Sequence, residues 1–376
     1  MQTTGHGGCA SCADCTLRLQ PAQRRNFFPM MRSSPMFRLL LGGALSAVLG
    51  LLATRAAAAS HDLYVCAAFN NGSRVMGSND GSSNGVFVRT PEGFRHIGIN
   101  YPLAISATFD PRDAKVFYVA CLSGVLRTLD GGKTWRLVTG WDETEPKSVA
   151  VDLLKPDHVY TGLPDGIVVS RDRGQTWQRR ERGLPERGKY TQVVRADRTR
   201  QGRVMIGCET GIYLTENGAD SWKRVLATAE TVNDLQQSPH DPRLWIAVTQ
   251  SAGALISRDG GATWKQLASV PSAKALYNVA FDAREPGRLA IASWNYGLLL
   301  SADGGVTWTP RHAGLPGEGS PRVWRTAIDP DNGQLFAAVF GQGLHVSSDS
   351  GLTWRPVPGM EGGSVQTFTF VPRTGP

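Results

Sequence analysis

The 376-residue chain is 41% hydrophobic and 19% charged and carries 43 Gly, 22 Pro and 10 Trp. That composition excludes a disordered chain, a coiled coil and a polytopic membrane protein, and it points to a Gly- and Trp-rich β protein. The formal charge of +8 is uneven, because residues 1–59 hold six Arg and one acid and leave 34 bases against 31 acids in the remainder; a body this close to neutral has no global field to gather nucleic acid, and no nucleic-acid partner is expected.

In chain order, the first feature is an address. Arg38 precedes an apolar run from Leu39 to Ala53 that is shorter than the ~20 residues a spanning helix needs, and the run ends in Ala56-Ala57-Ala58-Ala59-Ser60. A basic segment, a short apolar segment and small residues at Ala57 and Ala59 read as a secretory signal cleaved after Ala59, so residues 1–59 are taken as extension and signal and 60–376 as the exported domain. An uncleaved anchor is the alternative, and membrane association is otherwise expected only through a partner. Arg24-Arg25-Asn26-Phe27-Phe28 resembles a twin-arginine signal, and Met30, Met31 and Met36 are alternative starts. Cys9, Cys12 and Cys15 beside His6 have metal-ligand spacing, but they fall in sequence read as removed or untranslated, so no metal and no cofactor are expected. Cys66, Cys121 and Cys208 sit in apolar runs and read as buried free thiols.

From residue 63 onward the chain repeats. Thr128–Trp135, Ser170–Trp177, Ser257–Trp264, Ser301–Trp308 and Ser347–Trp354 all fit S/T-x-D-x-G-x-T-W. A sixth copy, Thr215–Trp222, has Asn217 for Asp, and a seventh survives as Arg89–Phe94; the seven aromatics are spaced 41 to 46 residues apart. A Gly stands four residues before each Ser/Thr position, at Gly85, Gly124, Gly166, Gly211, Gly253, Gly297 and Gly343. Each unit reads as four short strands, as in Ser148–Asp152, His158–Tyr160, Ile167–Val169 and Trp177–Gln178, which is the size and strand count of a propeller blade. The predicted fold is all-β: a seven-bladed β-propeller of four-stranded antiparallel blades. The tail Ser364–Phe370 matches the first strand of a unit while the N-terminal unit starts at its second, so the last strand is expected to complete the first blade and leave no open edge.

The repeated residues have a turn chemistry that needs no catalysis. Hydroxyl and carboxylate oxygens accept from the amides of a tight hairpin, Gly takes positive φ, and the aromatic covers the hairpin. Asp130, Trp135, Asp172, Trp177, Asn217, Trp222, Asp259, Trp264, Asp303, Trp308, Asp349 and Trp354 are therefore assigned structural roles. These motifs resemble the Asp-box, or BNR, repeats of the sialidase-like propeller superfamily. The Trp of the repeat is never followed by Asp, which disfavours the WD40 class. The resemblance implies a WD40/YVTN/BNR-like ring. Its members include sialidases, xyloglucan-type glycosidases, sortilin-type receptors and the photosystem II assembly factors, and the single-ring assembly factors are the group most alike in size, secretion and motif count. Phe87-Val88-Arg89-Thr90-Pro91 departs from the sialidase F/Y-R-I-P motif, so no sialidase catalytic residue carries over.

Because the repeated turns join third to fourth strands, function is assigned to the opposite face, built from second-to-third turns and blade connections. Asp165 and Glu209 are the best carboxylate pair there for the two-carboxyl chemistry of a glycosidase. Trp141, Trp294, Tyr296 and Gln342 are candidates for partner or glycan contact, with Tyr101, Tyr190 and Trp324 nearby. Residues 171–203 hold eleven bases against four acids, and Arg179, Arg180, Arg182, Arg187 and Lys189 are taken from it as a candidate patch for carboxylate or phosphate groups. The resemblance implies that an Arg-rich patch serves a partner. The expected function is an exported, monomeric, non-catalytic scaffold binding a protein or glycan. The alternatives are a sialidase-like glycoside hydrolase and a carbohydrate-binding surface protein.

Overall fold

The computed structural model describes residues 60–69, 84–101, 103–317 and 319–373. The signal reading, Cys9, Cys12 and Cys15, and most of the Gly- and Ser-rich 70–84 loop, expected as a flap over the first blade, lie outside the described residues. Seven four-stranded antiparallel sheets form a seven-bladed β-propeller, with no helix among the described residues. Blades 2 to 7 run in sequence order from the inside outward, beginning at Ser106, Ser148, Thr191, Val232, Leu276 and Val323. Blade 1 has the order Ser364–Pro372, His61–Ala68, Gly85–Thr90, Gly93–Ile97. The C-terminal strand is thus the innermost of the first blade, paired with His61–Ala68 from His61 opposite Pro372 to Ala68 opposite Ser364, as the tail's pattern predicts.

The core lies between blades. The second and third strands of most blades, such as Val159–Leu163 and Gly166–Ser170, are buried end to end, because each sheet is covered on both faces by its neighbours and both faces must be apolar. Each of seven hydrophobic clusters joins one pair of adjacent blades. The repeated aromatic belongs to these seams. Trp135 packs in the cluster of blades 1 and 2, Trp177 in that of 2 and 3, and so on to Phe94 between 7 and 1. Covering the hairpin is therefore only part of the aromatic's role, since it also seals its blade to the preceding one.

Polar groups on the innermost strands complete the seams beside the central channel. The Val149 amide donates to Ser106 Oγ, Val194 to Ser148 Oγ, Val279 to Asp234 Oδ2 and Thr326 to Asn278 Oδ1. All four acceptors stand four residues before the residue that ends their first strand at its turn into the second, and the Val151 amide adds a bond to Thr108 Oγ1 two residues further along.

Candidate functional site

The two faces of the ring carry different chemistry. On one, each repeated turn closes on itself. Ser301 Oγ accepts from Gly305 N (2.9 Å) and donates to Asp303 Oδ1 (2.8 Å), while Asp303 accepts from the Thr307 amide (2.9 Å) and hydroxyl (2.6 Å). The same bonds recur at Asp130, Asp172, Asp259 and Asp349. The Thr hydroxyl and amide hold the carboxyls of Asp130, Asp259, Asp303 and Asp349 down to about 2. At Asp172 burial opposes the shift and the same Thr176 donors outweigh it, again to about 2. In the sixth copy Asn217 Oδ1 takes the Ser221 amide and Asn217 Nδ2 donates to Ser221 Oγ, so an amide replaces the acid without loss of the turn. These carboxylates have their lone pairs occupied by their own hairpins.

The opposite face contains the channel mouth. A cavity of about 330 Å³ is lined by Tyr190, Gln192, Thr231, Asn233, Gln250, Tyr277, Trp324 and Arg325. It adjoins the central channel, itself about 340 Å³. Its rings continue outward as one cluster: Tyr277 to Trp324 at 4.6 Å, Trp294 to Trp324 at 5.8 Å and Trp294 to Phe340 at 4.8 Å. Two guanidiniums lie on these rings, Arg325 over Trp324 at 4.7 Å and Arg322 over Trp294 at 5.3 Å. Arg325 donates only to carbonyls, from Nε to Gln366 and from Nη1 to Trp324 and Tyr277. Burial pulls it down to about 10.

The sequence candidates land in several places. Trp294 joins the ring cluster, and Tyr296 packs into the seam of blades 5 and 6. Gln342 is exposed in its turn, where its amide donates to Val339. Trp141 stands out at 91% exposure on the connection between blades 2 and 3. Tyr101 is fully buried, edge-on to Trp135.

The basic segment is dispersed. Arg179 pairs with Asp165 (3.0 Å) and Glu181 (3.2 Å), and Lys189 pairs with Glu181 (2.5 Å), toward the channel-mouth face. Arg171 and Arg180 reach instead to Asp220, in the repeated turn of blade 4, at 2.6 and 3.4 Å. Arg173, Arg195, Arg200 and Arg203 pair with Asp110, Asp234, Glu216 and Asp197. Arg198 donates to the carbonyls of Gln237 and Ser238. Arg182 and Arg187 remain exposed without an ion pair among the described residues. Five of the partner acids, Asp110, Asp165, Asp220, Asp234 and Glu216, come from outside residues 171–203, and three of them, Asp110, Asp220 and Asp234, belong to a neighbouring blade, so part of the local excess of charge is met across blades.

Asp165 is 66% exposed and bound to Arg179, and Glu209 is exposed and accepts the Tyr190 amide at 3.4 Å. Neither lines the mouth cavity or the channel. The aspartates at the first-to-second turns are caps: Asp282 accepts from buried Arg288 at 2.8 Å and Asp197 from buried Arg203 at 2.9 Å.

Comparison with known proteins places the ring among propellers. A family model described as "Sortilin, neurotensin receptor 3" matches residues 165–285. No curated protein matches the chain. Among solved structures, the GH74 enzyme of Niastella koreensis superposes with a TM-score of 0.57 at 17% identity, covering 72% of this chain and 51% of that one. The GH74 xyloglucanase of Xanthomonas campestris gives 0.56 at 19%, covering 72% and 52%. This chain thus spans about half the length of the GH74 enzymes it matches. YCF48 bound to a D1 peptide gives 0.52 at 18%, covering 68% of this chain and 83% of that one. At these identities the likeness is one of fold.

Sequence reasoning did not single out Tyr277, Asn233, Gln250, Phe340 and Arg325. A signal for some of them exists. The residue five before the end of each first strand's turn reads Ile105, Lys147, Gln192, Asn233, Tyr277 and Trp324. With Gln366 at the same bulge of blade 1, this series holds six residue types over seven blades and faces the channel mouth.

Proposed function

We propose that the chain is an exported, non-catalytic Asp-box propeller that binds a protein or glycan partner on its channel-mouth face. The observation that carries this reading is the ring cluster of Tyr277, Trp294, Trp324 and Phe340 with Arg322 and Arg325 on its faces, beside a cavity whose lining differs from blade to blade. Rings of this kind, backed by arginine and flanked by side-chain amides, are the composition of binding hot spots. YCF48, a ring of similar fold, is seen with a D1 peptide, and the size and motif count of this chain support the assembly-factor-like reading.

The second reading, a glycoside hydrolase, is favoured by the fold likeness to GH74 enzymes. Against it stands the placement of Asp165 and Glu209 outside both cavities. The test is a hydrolysis screen of residues 60–376 on sialosides, xyloglucan and aryl glycosides, followed by crosslinking capture of partners. Capture without turnover is expected. Turnover abolished by Asp165→Asn or Glu209→Gln would replace the first reading with the second.

A further inference from the structure

Resting on the reading of this face as a binding site, we propose that the mouth cavity receives a saccharide carrying a carboxylate, with Arg325 as the group that meets the charge. The Lys and Arg side chains lining the channel are Lys147, Arg195, Arg198 and Arg325, and among the described residues the one carboxylate lining it is Asp234, whose charge also acts on Arg325. Asp234 is held by Arg195 at 2.8 Å and by Gln236 Nε2 at 3.2 Å from both its oxygens. Arg325 has no ion pair among the described residues; its Nε and Nη1 are committed to carbonyls, and its Nη2 has no protein partner there. A half-buried guanidinium beneath a Trp face, with burial acting against its charge, gains from an anion delivered to the cavity, because the pair forms where water screens it little.

The remaining lining selects a sugar for the body of that anion. Tyr277 and Trp324 offer ring faces on which a pyranose can stack. Gln192, Asn233 and Gln250 supply amides that both donate and accept, as sugar hydroxyls require. A cavity of about 330 Å³ is near the lower end of the roughly 300–1,000 Å³ of small-ligand sites. An acidic peptide would use the same Arg325 but would leave the amide ring around it without matched hydroxyls.

The probes are trigalacturonate and its fully methyl-esterified form, which differ in charge and little in shape, titrated into residues 60–376 by calorimetry. The acid is expected to bind at least about tenfold tighter than the ester, with the ratio shrinking as salt rises. Arg325→Gln is expected to bring the ratio to one while ester binding persists, and Tyr277→Ala, which removes a stacking face of the cavity, to weaken both probes together. Because Arg325 also holds the Gln366 carbonyl, the acid-to-ester ratio on the unaltered protein stands as a test without that variant. Equal binding of acid and ester, binding of neither, or tighter binding of a hexaglutamate peptide than of trigalacturonate would overturn the proposal. Absence of saccharide binding with partner capture intact leaves the binding reading standing, whereas cleavage of the saccharide would overturn its non-catalytic part.

Discussion

The face of repeated turns and the face of the channel mouth are made by the same seven sheets, yet sequence is spent on them differently. On the first, Asp130, Asp172, Asp259, Asp303 and Asp349 make the same bonds to their own hairpins, and their charges are consumed by the backbone. On the second, the corresponding positions read Ile105, Lys147, Gln192, Asn233, Tyr277, Trp324 and, in blade 1, Gln366, six residue types over seven blades. Uniform turns fix blade geometry, and that rigidity lets the other end vary without loss of fold.

The contrast is broken most severely at the closure. Deleting residues 363–376 removes the innermost strand of blade 1 and exposes both the His61–Ala68 edge and the seam to blade 7. Loss of the cooperative melt of the whole ring is expected in calorimetry. Next comes the seam itself. Trp222 is 5% exposed in the cluster of blades 3 and 4, and its indole donates to the Arg180 carbonyl at 2.7 Å. Trp222→Ala is expected to cost about 3–5 kcal/mol by denaturant unfolding. At the start of the third strand, Gly211 has φ +134°, and a Cβ there would collide with the Leu226 carbonyl oxygen. Gly211→Ala should cost about 1–3 kcal/mol, with strain rather than a lost contact as the cause.

The turn carboxylates give a smaller effect, visible only in acid. Their folded pKa of about 2 lies below the ordinary value of 3.8, so the stability they add is complete above that ordinary value and is lost as pH falls through the folded one. The melting temperature should therefore be flat above roughly pH 5 on this account and fall between about pH 4 and 2. Asp303→Asn, which copies the natural Asn217 turn, should lessen that fall; an unchanged acid limb would separate these aspartates from acid stability. The smallest effect is expected at Trp141, whose 91% exposure predicts a melting temperature unchanged on Trp141→Ala and a loss confined to partner capture.

The fold was legible because the repeat states it seven times, and the closure because a first strand is missing at one end of the pattern and present at the other. The site was legible only in part. Trp294 could be read as a ring in a variable loop, but Trp324, Tyr277, Asn233 and Arg325 lie on first strands, where alternation hides a channel-facing side chain among core residues. The Arg-rich segment was legible as composition but not as geometry. Neighbours in sequence diverge to opposite faces, with Arg179 turned to Asp165 and Arg180 to Asp220, and acids as far away as Asp110 pair with Arg173 across 63 residues. Local charge in a propeller does not make a local patch, because each blade edge faces a neighbour about forty residues away.

The most direct test sets the two faces against each other in one capture experiment. Trp294→Ala with Arg322→Ala alters the channel mouth, and Val306→Ala with Leu352→Ala alters exposed side chains of the repeated turns, which are 69% and 61% accessible. With melting temperatures matched, the first pair is expected to abolish most crosslinked partner and the second to leave it intact. Loss of capture from the repeated-turn pair, with the channel-mouth pair unaffected, would contradict the account and move the binding surface to the other end of the ring.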